Sequence, residues 1–557
     1  MDTVITREEN ISRRTAVVAL AGILAAGAFL RLWNLGTASY WVDEINVLSA
    51  ASRWLRDGTF AFPSGFVYNR APLLTLLTGW FYQWFGTGEA TTRLAAALFG
   101  IACIPVGYWT ATAVFGRRVG LLTAFLIAFS HFEVGWSRTA KMYTLLQVLT
   151  LFVCFAFAKG FEARAFQSRS RRTSSPGTFL KRHGLSPVWL LAGGAAFVYT
   201  LFWVQSLVLF VLAGCFLYTA SLAVWALFTV RGAGRFCNKY AWVAGGCLLL
   251  GLAAWTALPA LRRYVAYFIA YTPAWAEGGS SAQLRSILVD FLISSQRFPL
   301  AVFFFLGGIQ LVNRRHRLGW FWWTQFFSSF FLLTFVFEHR VPTYLFHLYP
   351  LFLAIAAYGF SNLLDQEASV ARPLARWGAA RVRKGLAVAL FSIFLLSPWL
   401  RITLHIPFQP DGITNMAVTP EEWREASSLI LRQKEPRDLV VTSLPQVAMA
   451  YGLASDYGLN WANLALTKHE GFTNADGRWI DIYAAVVCIE SLEELQRLVE
   501  SRPAGWLVLS RFHLENEAYI PPPVRNFIQS RFAPVFETAR GTVVAYRWGG
   551  TARGSVP

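Results

Sequence analysis

Eleven apolar runs, most of them close to twenty residues long, constrain this chain more than any other feature. They fall at about 15–33, 93–115, 119–136, 142–161, 187–205, 206–229, 240–260, 299–313, 320–337, 342–364 and 386–404. A helix needs about twenty residues to cross the hydrocarbon core of a bilayer. In lipid, each backbone polar group must be satisfied inside its own helix or barrel. A chain that repeats such runs is predicted to fold as a mostly α, polytopic membrane helix bundle. Composition agrees, with 55% of the 557 residues hydrophobic and only 15% charged, an apolar share that points to lipid as the solvent.

A further apolar run, residues 72–86, is too short to span. It reads as a juxtamembrane or re-entrant helix in the first outer loop. The placement of positive charge checks that choice. With Arg7, Arg13 and Arg14 on the cytoplasmic side and 72–86 omitted, the basic clusters all fall on that same side. These are Arg117-Arg118, the loop 162–186, Arg231 to Lys239, Arg314 to Arg317 and Arg372 to Lys384. Counting 72–86 as a span would invert every one, so the positive-inside rule favours eleven spans. The net charge of +19 is accounted for by these short loop clusters, and a nucleic-acid partner is not indicated. The same topology places segments 34–92, 137–141, 261–298 and 338–341 outside. The tail beyond about residue 405 is outside too.

The chain thus divides into a membrane domain, 1–404, and an extracytoplasmic domain, 405–557. The tail has strand-like runs at Leu439–Ser443, Trp506–Ser510 and Thr542–Trp548, and helical patterns at 420–433 and 491–501. Alternating strands and helices predict a small α/β domain. It holds no glycine-rich phosphate loop and no nucleophile elbow. The six cysteines make no Cys-x-x-Cys and no Cys/His cluster, so neither a disulfide framework nor a zinc site is indicated.

The residues that could carry chemistry gather in the outer segments. Asp43-Glu44, in Tyr40-Trp41-Val42-Asp43-Glu44, lies just beyond the first apolar run. As a helix-capping pair it would sit at the start of an amphipathic helix, 43–57. As chemistry it would supply a general base and a supporting neighbour. Arg70 reads either as a snorkelling arginine or as a contact to an anionic headgroup. Arg138, Lys141 and Tyr143 flank the next outer segment, where Lys141 could also be an interfacial anchor. Glu133, an acid inside an apolar run, is a functional candidate by its cost alone. Arg340 has the planar fork that suits phosphate, with a salt bridge to Glu338 as the competing role. His347 reads equally as an interior histidine.

Taken together, these residues resemble the membrane-embedded glycosyltransferases of the C-type fold that use polyprenyl-phosphate sugars. That group includes the protein O-mannosyltransferases and the aminoarabinose transferases of lipid A. The resemblance is carried by Arg31-Leu32-Trp33 followed by Trp41-x-Asp43-Glu44, by Arg70-Ala71-Pro72-Leu73, and by Arg93-Leu94 through Gly100. It continues through Phe115 to Arg118, Ser130 to Tyr143, and Arg340 to Pro350. Three departures stand out. Ala71 replaces the first proline of a Pro-Pro-Leu segment. Arg138-Thr139-Ala140-Lys141-Met142-Tyr143 lacks the acid often found there. Tyr199-Thr200-Leu201 replaces a Tyr-Thr-His.

The resemblance implies a multi-pass protein of the inner (plasma) membrane. It would move a sugar from a polyprenyl-phosphate donor to a hydroxyl of a protein, lipid or glycan, with inversion. Asp43 would be the base, supported by Glu44. Arg70, Lys141, Arg340 and Tyr344 would hold the donor phosphate. Glu133, Arg138, Tyr143 and His347 would contact substrate. No metal ligands are assigned, and a divalent metal is left open. The alternatives are a transporter or lipid flippase without covalent chemistry, and a catalytically inactive scaffold.

Overall fold

The computed structural model describes residues 11–166, 184–229, 239–257, 298–337, 342–365 and 421–549, with single positions between 259 and 292 and between 384 and 392. The membrane half opens with α1 (Arg13–Leu32), α2 (Val42–Asp57), α3 (Pro72–Phe85) and α4 (Glu89–Phe115). It continues with α5 (Arg117–Phe129), α6 (His131–Ser137) and α7 (Tyr143–Phe161). Further helices are Pro187–Trp203, Leu209–Thr229, Lys239–Ala257, Phe298–Asn313, Arg317–Phe335 and Tyr349–Asp365.

Among the described residues, six helices are long and apolar enough to cross a membrane, or seven if one bent pair counts as a single span. These seven coincide with seven of the apolar runs. The bent pair is α5 and α6, which the sequence reads as one run over 119–136. Ser130 takes an extended conformation (φ −64°, ψ 128°), and the axis turns by 57°. The runs at 187–205 and 299–313 form helices of 17 and 16 residues. The run at 320–337 forms Arg317–Phe335. The run at 386–404 lies almost wholly outside the described residues. The short run at 72–86 is α3, 14 residues long.

Val188, Leu191, Phe202, Phe228, Trp242 and Leu249 are each 69% to 86% exposed. Such a surface belongs in hydrocarbon, since water would penalise it. The helix Tyr349–Asp365 does the opposite and is buried along nearly its whole length. It packs on Phe298–Asn313 through Gly307 and Gly359. A Cβ at Gly307 would lie 2.5 Å from the Ile355 carbonyl, and one at Gly359 would strike the Phe303 carbonyl. Only glycine admits this backbone approach.

The tail forms a six-stranded sheet in the order β3-β2-β1-β4-β6-β5. The strands are β1 (Leu439–Thr442), β2 (Tyr457–Gly458), β3 (Val487–Cys488), β4 (Gly505–Ser510), β5 (Pro534–Glu537) and β6 (Val543–Trp548). β1 to β4 are parallel, with Leu439 opposite Gly505. β6 returns antiparallel to β4, with Gly505 opposite Trp548. Helices Trp423–Gln433, Trp461–Glu470, Leu492–Ser501 and Pro522–Arg531 complete an α/β domain, as the alternating pattern predicts.

The two halves share a core. Tyr40 and Ile45 of the membrane half are buried with Trp423, Ile430, Leu444, Val447 and Trp506 of the tail. Polar contacts reinforce it. The Tyr40 amide donates to Tyr451 Oη at 2.6 Å, and that hydroxyl donates to Glu89 at 2.9 Å. Arg424 pairs with the same carboxylate and donates to the Gly36 carbonyl at 2.9 Å.

Candidate active site

The loop after α1 is held by two arginines from neighbouring helices. Arg93, on α4, donates to the carbonyls of Leu35, Ala38 and Ser39 at 2.9 to 3.0 Å. Arg138, after α6, donates to those of Leu30 (3.0 Å), Trp33 (2.6 Å) and Asn34 (2.9 Å). Carbonyls at a helix C-terminus have no partner within the helix and carry its negative dipole end. Arg138 is therefore a cap on α1.

α2 begins at the carboxylate pair, and the two acids have different surroundings. Glu44 is buried and accepts four hydrogen bonds. Arg93 makes a two-point pair with it, Nε to Oε1 at 2.8 Å and Nη2 to Oε2 at 2.7 Å. The Trp41 amide donates to it at 3.0 Å, which caps α2, and the Ala140 amide at 2.7 Å. Glu44 joins α2, α4 and the turn between α6 and α7, with no oxygen left facing a substrate.

Asp43 is 40% exposed at the side chain and pairs through Oδ2 with Lys141 Nζ at 2.8 Å. Its Oδ1 has no partner among the described residues. Lys141 is buried beside the Trp41 ring, 5.5 Å from its centre. Trp41 meets Trp136 edge-on, and Trp136 meets Tyr143 at 4.6 Å. Thus 43 faces 141 and 44 faces 140, two consecutive pairs that fix α2 against the turn.

Arg70 lies near Asp43, and this exposed residue makes no hydrogen bond or ion pair among the described residues. Desolvation works against its charge, but Tyr68, Asp43, Tyr143 and Tyr483 more than offset that and hold its pKa above the ordinary value. Tyr143 lies in the field of Tyr344, Asp43, Arg70 and Tyr68. The tail contributes as well. Tyr519, stacked on His513 at 4.1 Å, feels the charge of Asp43, and burial raises its phenol pKa. Asp43, Arg70, Lys141, Tyr143 and Tyr344 therefore gather where the membrane half meets the α/β domain, and this junction is the candidate site.

The other predicted residues lie elsewhere. Glu133 is buried one layer below, where its Oε1 accepts from Gln147 at 2.9 Å and its charge is felt by buried Arg31. His347 is an interior histidine, stacked on Phe210 at 6.1 Å. Arg340 lies outside the described residues. Arg93, Tyr483 and Tyr519 are absent from the sequence-based set. An arginine near a helix end resembles an anchor, and the two tyrosines come near Arg70 and Asp43 only through the docking of the tail. Among the described residues no group of three or more His, Cys, Asp or Glu converges on a metal-sized point. Each acid of the pair faces a cation, Glu44 with Arg93 and Asp43 with Lys141, and no step below passes through a metal.

Residues 69–168 match the family described as dolichyl-phosphate-mannose-protein mannosyltransferase. No curated protein matches the sequence at a significant level. Among solved structures, ArnT from Cupriavidus metallidurans in the apo state is similar, with a TM-score of 0.56 and 14% identity over 96% of this chain and 98% of that one. The apo oligosaccharyltransferase of Archaeoglobus fulgidus gives 0.53 and 12%, over 98% and 75%. The same organism's AglB, in complex with an inhibitory peptide and a dolichol-phosphate, gives 0.51 and 12%, over 97% and 75%. The chain therefore has the fold of these membrane glycosyltransferases, and across residues 69–168 it carries the sequence pattern of the mannosyltransferase family, as the resemblance implies.

Proposed function

We propose that this protein is a membrane glycosyltransferase that moves a sugar from a polyprenyl-phosphate donor to a hydroxyl acceptor, with inversion. The observation that carries the reading is Asp43. It is a half-exposed carboxylate with one oxygen tied to Lys141 and the other free, set at the mouth of a bundle of this fold. The lipid-linked donor follows from the family match and from the dolichol-phosphate bound by AglB.

In the reaction, the acceptor hydroxyl oxygen attacks the anomeric carbon from the face opposite the phosphate. Asp43 Oδ1 takes the hydroxyl proton as the new C–O bond forms. The bond from the anomeric carbon to the phosphate oxygen breaks, and polyprenyl phosphate leaves with the electron pair. Arg70 is the open cation beside Asp43 and stabilises the developing charge on that phosphate. Lys141 fixes the Asp43 carboxylate, and Tyr143 and Tyr344 line the donor side. Glu44, through Arg93 and the Ala140 amide, sets the position of the pair. The site faces the outer side of the plasma membrane in this reading, which the distribution of basic clusters along the sequence supports.

Asp43→Asn tests this directly. The variant should fold and reach the membrane as the wild type does, and transfer from a panel of lipid-linked sugars should fall by a factor of about 100 or more. Near-normal transfer by the variant would remove Asp43 from the role of base.

A further inference from the structure

A cavity opens along α2, farther from its N-terminus than Asp43. It has a volume of about 220 Å³, and its walls include Ser49, Ser52, Arg53 and Arg56 of α2 and Gln446 and Tyr483 of the tail. Residues 49, 52, 53 and 56 recur at helical spacing, so one stripe of α2 forms this wall. Three observations mark it as a built site. Gln446 is 5% exposed, and its Oε1 makes no hydrogen bond among the described residues. A buried amide left this way is costly unless something else satisfies it. Arg56 is exposed with no ion-pair partner among the described residues. Arg53 is engaged only by the exposed Asp57 one turn on, so two guanidinium groups face one carboxylate and the wall stays positive. The cavity is smaller than those that enclose drug-sized ligands, which suits a single sugar unit.

Tyr483 connects this cavity to the candidate active site, because it lines the cavity and lies within electrostatic range of Arg70. From Asp43 to residue 52 the helix rises about 14 Å, the reach of a short saccharide. We propose that this cavity is an acceptor subsite for an anionic sugar unit, one that carries a carboxylate or phosphate. Arg53 and Arg56 hold the anion. Ser49, Ser52 and Gln446 hold ring hydroxyls. A hydroxyl elsewhere on the same acceptor then reaches Asp43. The inference rests on the transfer reading for its meaning, but the binding it predicts does not depend on turnover.

The full-length protein in lipid nanodiscs is titrated with glucose 6-phosphate, glucuronate and glucose, with binding followed by calorimetry. At least one anionic sugar should bind, and glucose should bind about tenfold more weakly or not at all. Arg53→Gln combined with Arg56→Gln should weaken the anionic sugar by about tenfold or more. Gln446→Leu should weaken both sugar classes. Binding of polyprenyl phosphate should stay unchanged in each variant, which also reports folding. Preference for the phosphate or the carboxylate sugar identifies the anion. Equal binding of glucose, no binding of either anionic sugar, or an unaffected double variant would overturn the subsite. Asp43→Asn should bind the anionic sugar as the wild type does, so loss of transfer there and loss of binding here are separate outcomes.

Discussion

At the residue scale, the two acids of Asp43-Glu44 differ because only one of them is buried. Glu44 neutralises a buried arginine that also holds three loop carbonyls. Removing one partner of such a pair leaves an uncompensated charge, at a cost of about 3–5 kcal/mol. The Asp43–Lys141 pair is half open to solvent on the acid's side, where an ion pair is worth about 1 kcal/mol or less. Glu44→Gln should therefore lower the melting temperature of the detergent-solubilised protein clearly, while Asp43→Asn, which removes the counter-charge of buried Lys141 but from a half-exposed position, should lower it less. Equal melting of the two variants would contradict this division of labour. The pair's address was legible in the sequence, because charge placement and the first-loop motif point to the same loop. The division between the two acids was not, since it depends on Arg93 and Ala140, 49 and 96 positions away. Ala71 shows the same limit. It takes φ +45° at the start of α3, a value outside the range of a proline ring. That accounts for the missing first proline of the Pro-Pro-Leu segment in a way no spacing could show.

At the scale of elements, apolar runs gave the positions of most membrane helices but not their shapes. The run 119–136 is continuous by hydropathy, yet it breaks at Ser130 so that α6 can bury Glu133 and carry Arg138 to the end of α1. The periodicity of seven buried residues holds no trace of that turn. The contact between Phe298–Asn313 and Tyr349–Asp365 was equally hidden, since Gly307 and Gly359 look like ordinary glycines in apolar helices. Gly359→Ala would drive a methyl group into the Phe303 carbonyl, part of a rigid helix backbone. Such overpacking costs about 1–3 kcal/mol. The variant should melt at a lower temperature and yield less folded protein. Gly22→Ala, whose Cβ would meet nothing within 4 Å, serves as the matched control. Loss of stability in both alike would point away from the helix contact.

At the scale of the whole molecule, membrane half and tail share one packed core. Tyr40 and Ile45 complete the tail's core, and Tyr483 and Tyr519 lie near Arg70 and Asp43. Glu421 stands where the described chain enters the tail, bonded to Ser510 at 2.5 Å and Trp423 at 2.6 Å. Burial pushes its carboxyl up to about 7, against the hydrogen bonds that favour the charged form. The folded state then holds a proton that the unfolded chain releases near pH 4.5. Stability from this group is full below about 4.5 and is lost as pH rises through 7. The melting temperature of Glu421→Gln relative to the wild type should therefore rise between pH 5 and pH 8, and a flat difference would rule this linkage out. The alternation of the tail announced an α/β domain, whereas its docking onto α2 could not be read from either half alone. The consecutive pairs 43/141 and 44/140 carry a last consequence, for inheritance and for engineering. Residues 34–57 and 138–143 form a single exchangeable unit despite the long stretch of chain between them. A chimaera that takes the first segment from a relative without the second would put both acids out of step with their partners, whereas exchanging the two together preserves the register.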